Sequence, residues 1–302
     1  MSQEKWTTAN IPDLTGKVII VTGGNSGLGY ESVKALAEKG AEVILASRSV
    51  EKGNEAKAQI GNTKGEIKVM QLDLADFASI KQFSNSFKEK YDRLDVLMNN
   101  AGIMTTPYFL TKDGLEAQNG VNHFGHFALT GQLYELITKT PDSRVVNVSS
   151  NAHKWGKMDF DNLLFENEKD YTPMRSYGRS KLANLLFTYE LQDRFQKNNI
   201  DSISVAAHPG ASQTNLARHV EGKFWFRLVS PIFSWMTQSQ EQGALPQIRA
   251  AVDPNVKGAE YYGPHKGMKG DPVRVESNEA SHNKEDAKRL WSVSEELTGV
   301  NF

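Results

Sequence analysis

The stretch KVIIVTGGNSGLGYESVKALAEKG, residues 17–40, places a strand, a glycine-rich turn and a helix in direct succession. The apolar run at 17–23 predicts a buried strand, and apolar residues then recur at helical spacing until Gly40, where a glycine typically ends a helix. Such a turn lets the backbone approach a pyrophosphate, and the helix N-terminus favours its negative charge. The turn therefore predicts a dinucleotide site, with a tight turn without ligand and the similar first turn of a methyltransferase as alternatives. The residues expected at the phosphates are Gly23, Asn25, Ser26, Gly27, Leu28 and Gly29.

The rest of the chain alternates short apolar runs with runs of helical period. Further strand candidates lie at 41–47, 67–73, 94–100, 143–150, 202–208 and 259–263. Strands that are apolar nearly throughout are typical of parallel sheets covered on both faces. The pattern predicts an α/β protein with one doubly wound, Rossmann-type parallel sheet of about seven strands. We expect a single domain over 1–302, with a core at about 15–265, an aromatic insertion near 211–240, and a polar C-terminal tail at 276–302 that ends in a weak helix.

Composition and charge exclude several classes of function. The 302 residues include 35 Lys and Arg against 36 Asp and Glu, whereas proteins that bind nucleic acid or anionic membranes carry a basic excess. The absence of cysteine excludes disulfides, thiolate catalysis and cysteine-bound metals. The N-terminus lacks the features of a signal peptide, and no apolar run is long enough to span a membrane. We therefore expect a cytoplasmic protein without nucleic-acid partners and without integral membrane association.

The end of the second predicted strand indicates which cofactor the site prefers. Dinucleotide folds usually place an acid there to hold the ribose 2′-hydroxyl. Here Ser47 takes that position and Arg48 follows it. An arginine pairs with a 2′-phosphate, which a carboxylate would repel. The pair predicts NADP(H) in preference to NAD(H), with a solvated loop arginine as the alternative.

Tyr177 and Lys181 lie four positions apart in a run that predicts a helix, so they would share one face. In isolation, such a pair is more often two polar side chains on an exposed helix face. Its position between the fifth and sixth predicted strands instead favours a catalytic role. Hydride transfer to a carbonyl carbon requires a proton at the oxygen, and a tyrosine with its ordinary pKa of about 10 is a poor base at neutral pH. A nearby lysine ammonium and an oxidised nicotinamide would lower that pKa.

Five ordered motifs between about residues 15 and 265 resemble those of the short-chain dehydrogenase/reductase superfamily. They are the T-G-x-x-x-G-x-G turn at 22–29, Asp73 after the third strand, Asn-Asn-Ala-Gly at 99–102, the pair Ser149-Ser150 followed by Tyr-x-x-x-Lys at 177–181, and His-Pro-Gly at 208–210. The resemblance implies a catalytic tetrad of Asn122, Ser150, Tyr177 and Lys181, in which the serine binds the substrate oxygen and the lysine also holds the nicotinamide ribose. It further implies cofactor contacts at Asp73, Leu74, Asn100, Ala101, Gly102, Tyr177, Lys181, Pro209, Gly210 and Thr214.

The stretches around 99–130 and 144–156 are similar to one branch of that superfamily, which contains retinol dehydrogenases, WW-domain oxidoreductases and protochlorophyllide reductases. This similarity implies a bulky, apolar carbonyl or alcohol as substrate. The chain departs from its relatives in three respects: it shows no hydrophobic anchor, no WW module, and no cysteine such as the light-dependent protochlorophyllide reductases place in their site.

The aromatic insertion and the serine pair bear on the substrate pocket. Strand alternation points Ser149 and Ser150 to opposite faces, so only one of them serves the substrate. Phe224 and Trp225 belong to an aromatic stretch at 223–235 that suits a lid over an apolar substrate, with packing against the core, a dimer partner or a membrane surface as alternatives. The residues expected in the pocket are Ser150, Trp155, Phe224 and Trp225. No metal is expected, because His123, His126, His153 and His208 lack acidic partners at metal-ligand spacing.

These observations predict an NADP(H)-dependent oxidoreductase that interconverts a carbonyl and an alcohol, with Tyr177 as general acid and base. Its partner would be a small apolar molecule, and the resemblance suggests homodimers or homotetramers. One alternative is a non-catalytic NADP(H)-binding regulator, which has no need to keep the whole tetrad. Another is a nucleotide-sugar epimerase. Its glycine spacing differs from that of the turn at 22–29, and such enzymes usually have a larger C-terminal substrate domain than this chain.

Overall fold

A computed structural model describes residues 5–166, 168–211 and 238–302. Its strands are β1 Val18–Thr22, β2 Glu42–Ser47, β3 Ile67–Gln71, β4 Val96–Asn99, β5 Arg144–Val148, β6 Ile203–Ala207, β7 Tyr261–Pro264 and β8 Pro272–Arg274. These eight strands form one sheet in the order β3-β2-β1-β4-β5-β6-β7-β8. All neighbours pair in parallel except β7 and β8, which are antiparallel. The predicted doubly wound α/β fold is confirmed.

Helices cover both faces of the sheet. The longer ones are α1 Gly27–Glu38, α2 Val50–Ile60, α3 Phe77–Lys88, α4 Gly125–Lys139, α5 Pro173–Lys197, α6 Gln240–Val252 and α7 Lys284–Thr298. The helices α1, α2 and α6 pack on one face, while α3, α4 and α5 pack on the other. Across residues 5–166, 168–211 and 238–302, no helix combines the length and the apolar composition that a membrane crossing requires.

The central strand β1 is buried on both faces, as its continuous apolar sequence predicts. Ile19 and Val21 point into the core beneath α1 and α6, and Ile20 points into the core beneath α3 and α4. All three side chains are fully buried. Alternate residues of one strand therefore hold the two helical layers to the same sheet.

Two features near the C-terminus differ from the sequence prediction. The strand β8 raises the number of strands from about seven to eight; it has only three residues and starts with a proline, which is tolerated at a sheet edge. The region expected to be a polar tail with a weak helix contains α7, which is capped by Asn283 and ends at Gly299 in the left-handed conformation. Its Trp291 is buried against Phe127 of α4, Phe187 of α5 and the terminal Phe302.

The order of the strands reverses between β1 and β4. At such a point the connections leave towards opposite faces, and the carboxyl ends of the two strands open a crevice that binds ligands in α/β proteins. The turn at 22–29 follows β1, the segment at 99–102 follows β4, and the serine pair follows β5. The fold therefore gathers the predicted site residues at one edge of the sheet.

Candidate active site

The glycine-rich turn after β1 forms a backbone cradle at the start of α1. Gly23 and Gly27 have φ angles of 66° and 58°, which other residues disfavour. A Cβ on Gly29 would lie 2.3 Å from the carbonyl oxygen of Gly23, so this position requires glycine. Ser26 is the N-cap of α1, but its side chain makes no capping hydrogen bond. The uncapped amides and the positive end of the helix dipole fit a pyrophosphate. The other predicted phosphate contacts in this turn are Asn25 and Leu28.

Thr22, the last residue of β1, joins this turn to the segment after β4. Its Oγ1 accepts hydrogen bonds from the backbone amides of Asn100 and Ala101, both at 2.9 Å. The Asn100 side chain donates to the Thr22 carbonyl at 2.7 Å. Gln247 of α6 in turn donates to Asn100 Oδ1 at 2.9 Å. Residues 100–102 are thereby held beside the glycine turn, where a bound dinucleotide would pass.

The ends of β2 and β3 lie on the other side of the turn. Ser47 ends β2 and is buried, whereas Arg48 is exposed and makes no hydrogen bond or ion pair with any residue that the structure describes. Asp73 follows β3 and accepts a hydrogen bond from the Ala75 amide at 3.0 Å, and Leu74 is buried beside it. A neutral residue at the end of β2 with an unengaged guanidinium after it fits a ribose that carries a 2′-phosphate.

Asn122 lies in a π-helical turn, Gly120–Phe124, that leads into α4. The resemblance implied its place in the tetrad but did not predict this turn. Its Oδ1 accepts from the Ile103 amide at 2.8 Å, and its Nδ2 donates to the Ile103 carbonyl at 3.0 Å and to Ser180 Oγ at 2.9 Å. Ser180 lies on α5 between Tyr177 and Lys181. This side chain therefore ties the loop after β4 to the helix of the tetrad, and π-turns of this kind are frequent at functional sites.

The two serines of the pair have different roles: Ser149 holds the fold, and Ser150 belongs to the site. The Ser149 hydroxyl donates to the carbonyl of Lys181 at 2.8 Å, so it holds α5 against β5. The Ser150 side chain lies close enough to Tyr177 to lower the pKa of its phenol, and its Oγ accepts from the Ala152 amide at 3.2 Å at the start of the 3₁₀ helix Asn151–Trp155. The structure thus places Ser150, and not Ser149, beside the tyrosine hydroxyl.

Burial governs the protonation of Tyr177 and Lys181. It raises the pKa of Tyr177 to about 12, against a smaller lowering by the nearby Ser150 side chain. It also lowers the pKa of Lys181 to about 8, since a buried ammonium loses its hydration. Lys181 Nζ donates to the Val148 carbonyl at 3.0 Å. The pKa of Tyr177 is therefore raised, whereas the sequence predicted a lowering, because burial of the phenolate outweighs the opposing effect of Ser150.

The remaining predicted residues lie around the opening of the crevice or outside the described chain. Gly210 has a φ of 66°, and a Cβ there would lie 2.3 Å from the Met268 carbonyl oxygen. The carbonyl of Pro209 accepts a hydrogen bond from Gln238 at 2.8 Å. Trp155 ends the 3₁₀ helix after Ser150 and is 68% exposed. Three predicted residues and most of the predicted aromatic insertion fall in 212–237, outside the described residues: Thr214, Phe224 and Trp225.

Some residues that support the site were not assigned from the sequence. Glu116 is fully buried, and its carboxylate accepts hydrogen bonds from the Asn119 amide at 2.9 Å and from Ser176 Oγ at 2.8 Å. Ser176 directly precedes Tyr177, so this carboxylate anchors the start of α5. The side chain of Gln247 reaches a residue 147 positions away, which local spacing does not reveal. Within the described residues, no group of acidic or histidine side chains is arranged to hold a metal ion.

Known proteins of similar sequence and structure show to which family this chain belongs. The short chain dehydrogenase family matches residues 17–163. Retinol dehydrogenase 11 of Homo sapiens is 40% identical over 292 residues, which cover 95% of this chain and 87% of that protein. The crystal structure of an uncharacterised protein from Mycobacterium paratuberculosis superimposes with a TM-score of 0.83 at 38% identity, covering 99% of both chains. The Pseudomonas aeruginosa RhlG/NADP complex has a TM-score of 0.67 at 21% identity, over 85% of this chain and 97% of that one, which shows a shared fold.

Identity of 40% over nearly the whole of two chains establishes a common family. The resemblance inferred from the motifs is thereby confirmed, including its branch. Membership of this family supports an oxidoreductase that acts on carbonyl and alcohol groups with a nicotinamide cofactor. The chain belongs to the short-chain dehydrogenase/reductase family, in its retinol dehydrogenase-like branch.

Proposed function

We propose that the protein interconverts an apolar carbonyl compound and its alcohol with NADP(H), and that Tyr177 donates and accepts the proton. The observation that carries this proposal is the close approach of Ser150 to Tyr177, with Lys181 one helical turn away, at the edge of the sheet where the phosphate cradle lies. NADPH, when bound, supplies the hydride. The chain itself orients the carbonyl, protonates its oxygen and excludes water.

The proton chemistry follows from burial. Tyr177 is neutral at physiological pH, since its pKa is raised to about 12, and a neutral phenol is a proton donor. This suits the reduction of a carbonyl to an alcohol. Ser150 lies against the Tyr177 hydroxyl and provides a second hydrogen bond to the same substrate oxygen. Lys181 opposes the negative charge that remains on the phenolate after proton transfer, and Asn122 holds the loop after β4 against α5.

The preference for NADP(H) rests on the end of β2. Ser47 contributes no negative charge there, and the Arg48 guanidinium is exposed without a partner among the described residues. A 2′-phosphate would provide that partner through charge-assisted hydrogen bonds. The RhlG complex, which shares the fold, contains NADP.

An apolar substrate fits the distribution of exposed apolar side chains. The largest of them in the described chain all lie on segments that follow the carboxyl ends of β4, β5 and β7, and they are Phe109, Leu110, Trp155, Met174 and Met268. Apolar surface concentrated at one edge of a protein usually marks a binding region. The relatedness to retinol dehydrogenase 11 favours the same substrate class.

The test is the oxidation of NADPH in the presence of apolar aldehydes, ketones and quinones. We expect turnover by the wild type and a loss of about 100- to 10,000-fold in kcat for Tyr177→Phe, with NADPH binding retained. Tyr189→Phe is the matched control, because Tyr189 lies on the same helix and hydrogen-bonds Ser277 instead of the site. Tight NADPH binding without turnover on any carbonyl would support a non-catalytic regulator and overturn the proposal.

A further inference from the structure

The ring of His126 lies between two parts of the site that are far apart in sequence. Its Nε2 is 2.9 Å from Thr22 Oγ1, and its Nδ1 is 3.1 Å from the carbonyl oxygen of Asn122. The side chain is 2% exposed and therefore has no access to solvent partners. One imidazole thus bridges the end of β1 and the π-turn that carries Asn122.

The hydrogen-bond partners of His126 determine which of its two ring nitrogens carries the proton. A carbonyl oxygen only accepts, so Nδ1 of His126 carries the proton and donates to Asn122. Burial lowers the pKa of His126 to about 4, which leaves the ring neutral at pH 7 and Nε2 unprotonated. Nε2 then accepts the hydroxyl proton of Thr22, whose other potential acceptor, the Met98 carbonyl, lies further away at 3.3 Å. The lone pairs of Thr22 Oγ1 remain free for the amides of Asn100 and Ala101.

The bridge reaches both the cofactor side and the tetrad side of the crevice. Thr22 holds the segment at 100–102 beside the glycine turn. Asn122 holds Ile103 and, through Ser180, the helix of Tyr177 and Lys181. A shift of the π-turn relative to β1 would therefore move the tyrosine relative to the cofactor, and displacements of about 1 Å reduce rates about 100-fold.

We propose that His126 is a positioning residue, which fixes the backbone of Asn122 to the end of β1 so that the tetrad keeps its place relative to the cofactor cradle. The role of the bridge in turnover rests on the function proposed above. The arrangement of the bridge itself does not, and spectroscopy measures it without any substrate.

His123 offers a matched control for packing. It is as buried as His126, and it lies three residues earlier, in the π-turn itself. Its Nε2 is 2.9 Å from Ser294 Oγ on α7, and it makes no hydrogen bond with any described residue at the end of β1. Replacing either histidine with alanine removes one buried imidazole ring, but only the change at position 126 breaks the bridge between Thr22 and Asn122.

The experiment compares His126→Ala, His126→Asn and His123→Ala with the wild type, by steady-state kinetics and thermal unfolding. We expect His126→Ala to lower kcat about 10- to 100-fold with KM for the carbonyl within about threefold of wild type. Asparagine at 126 keeps a donor for the Asn122 carbonyl but ends short of Thr22, so it should recover only part of the lost kcat. His123→Ala lowers the unfolding temperature comparably and keeps kcat. Equal losses of kcat in His123→Ala and His126→Ala, or unchanged kcat in His126→Ala, would overturn the proposal.

The second measurement is the ¹⁵N spectrum of the imidazole rings at pH 7, with His126 assigned by its absence from His126→Asn. We expect a neutral ring with its proton on Nδ1. A proton on Nε2, or a charged ring, would overturn the bridge even if the enzyme is active. If the ring is neutral with its proton on Nδ1 but the protein reduces no carbonyl, the bridge is confirmed as a structural feature. Its proposed role in turnover and the proposed function are then both refuted. If His126→Ala does not fold, His126→Asn, which loses the acceptor for Thr22, decides the kinetics: a lowered kcat supports the proposal, and wild-type kcat contradicts it.

Discussion

The ammonium of Lys181 lies 5.7 Å from the centroid of the Tyr177 ring and donates its hydrogen bond to the carbonyl of Val148. Both side chains are buried on the same face of α5. Burial disfavours the charged form of each, so it acts on the two groups in opposite directions and leaves the phenol protonated.

Replacing Lys181 with methionine should change how stability depends on pH. The pKa of Lys181 is about 8 in the folded protein and 10.5 when unperturbed, so between these values the unfolded chain binds more protons. Wild-type stability should therefore rise relative to Lys181→Met as the pH increases through this window, by roughly 3 kcal/mol in all. Urea unfolding of both proteins at several pH values measures the difference. A difference that stays constant with pH would contradict the burial of a charged lysine.

Arg48→Ala should reduce the preference for NADPH over NADH. A charge-assisted hydrogen bond contributes about 1.5–3 kcal/mol, so kcat/KM for NADPH should fall about 10- to 100-fold while that for NADH stays nearly constant. Lys52→Ala removes an exposed cation one turn into α2 and serves as the control for net charge. Equal losses with both cofactors would show that Arg48 does not contact the 2′-phosphate.

Gly29→Ala should abolish NADPH binding. The added Cβ would lie 2.3 Å from the Gly23 carbonyl oxygen and 2.7 Å from Asn100 Nδ2, so both sides of the cradle must move. Gly61→Ala, at the end of α2, introduces a Cβ that meets nothing within 4 Å at a φ of 76°. It should lower stability by about 1–2 kcal/mol and leave NADPH affinity unchanged. Fluorescence titration with NADPH measures both; wild-type affinity in Gly29→Ala would refute the assigned cradle.

The fold and the placement of the site follow from local sequence signals. The strand, turn and helix at 17–40 were predicted together, and the Tyr177–Lys181 pair was predicted on a helix between the fifth and sixth strands. Local spacing does not reveal what the tertiary structure adds. The π-turn at Asn122 depends on packing beneath α5, the direction of the Tyr177 pKa depends on burial, and the partners of His126 come from β1 and from its own turn.

The helix α7 is a whole element that the sequence predicted only weakly. Its composition is polar, and its buried face consists of four residues at helical spacing, Ala287, Leu290, Trp291 and Ser294. A stripe this narrow in a charged sequence gives a weak signal, although Trp291 stacks within 3.9 Å of the Arg194 guanidinium and fills the core between α4 and α5.

Trp291→Ala should therefore destabilise the protein by about 3–5 kcal/mol, the usual cost of removing a buried aromatic side chain. Lys288→Ala, on the exposed face of the same helix, should change stability by less than about 0.5 kcal/mol. Chemical unfolding measures both. If the two variants were equally stable, α7 would not be a cooperative part of the fold.

In the proposed reaction a hydride passes from NADPH to a carbonyl carbon in this site. NADPH deuterated at the nicotinamide C4 position, in separate reactions for each face, tests it directly when the alcohol product is analysed by mass spectrometry. We expect one deuterium on the former carbonyl carbon from one of the two faces, and no product from Tyr177→Phe on the same timescale. An alcohol without deuterium from either face would contradict the proposed hydride transfer. So would the absence of alcohol from every carbonyl while NADPH remains tightly bound.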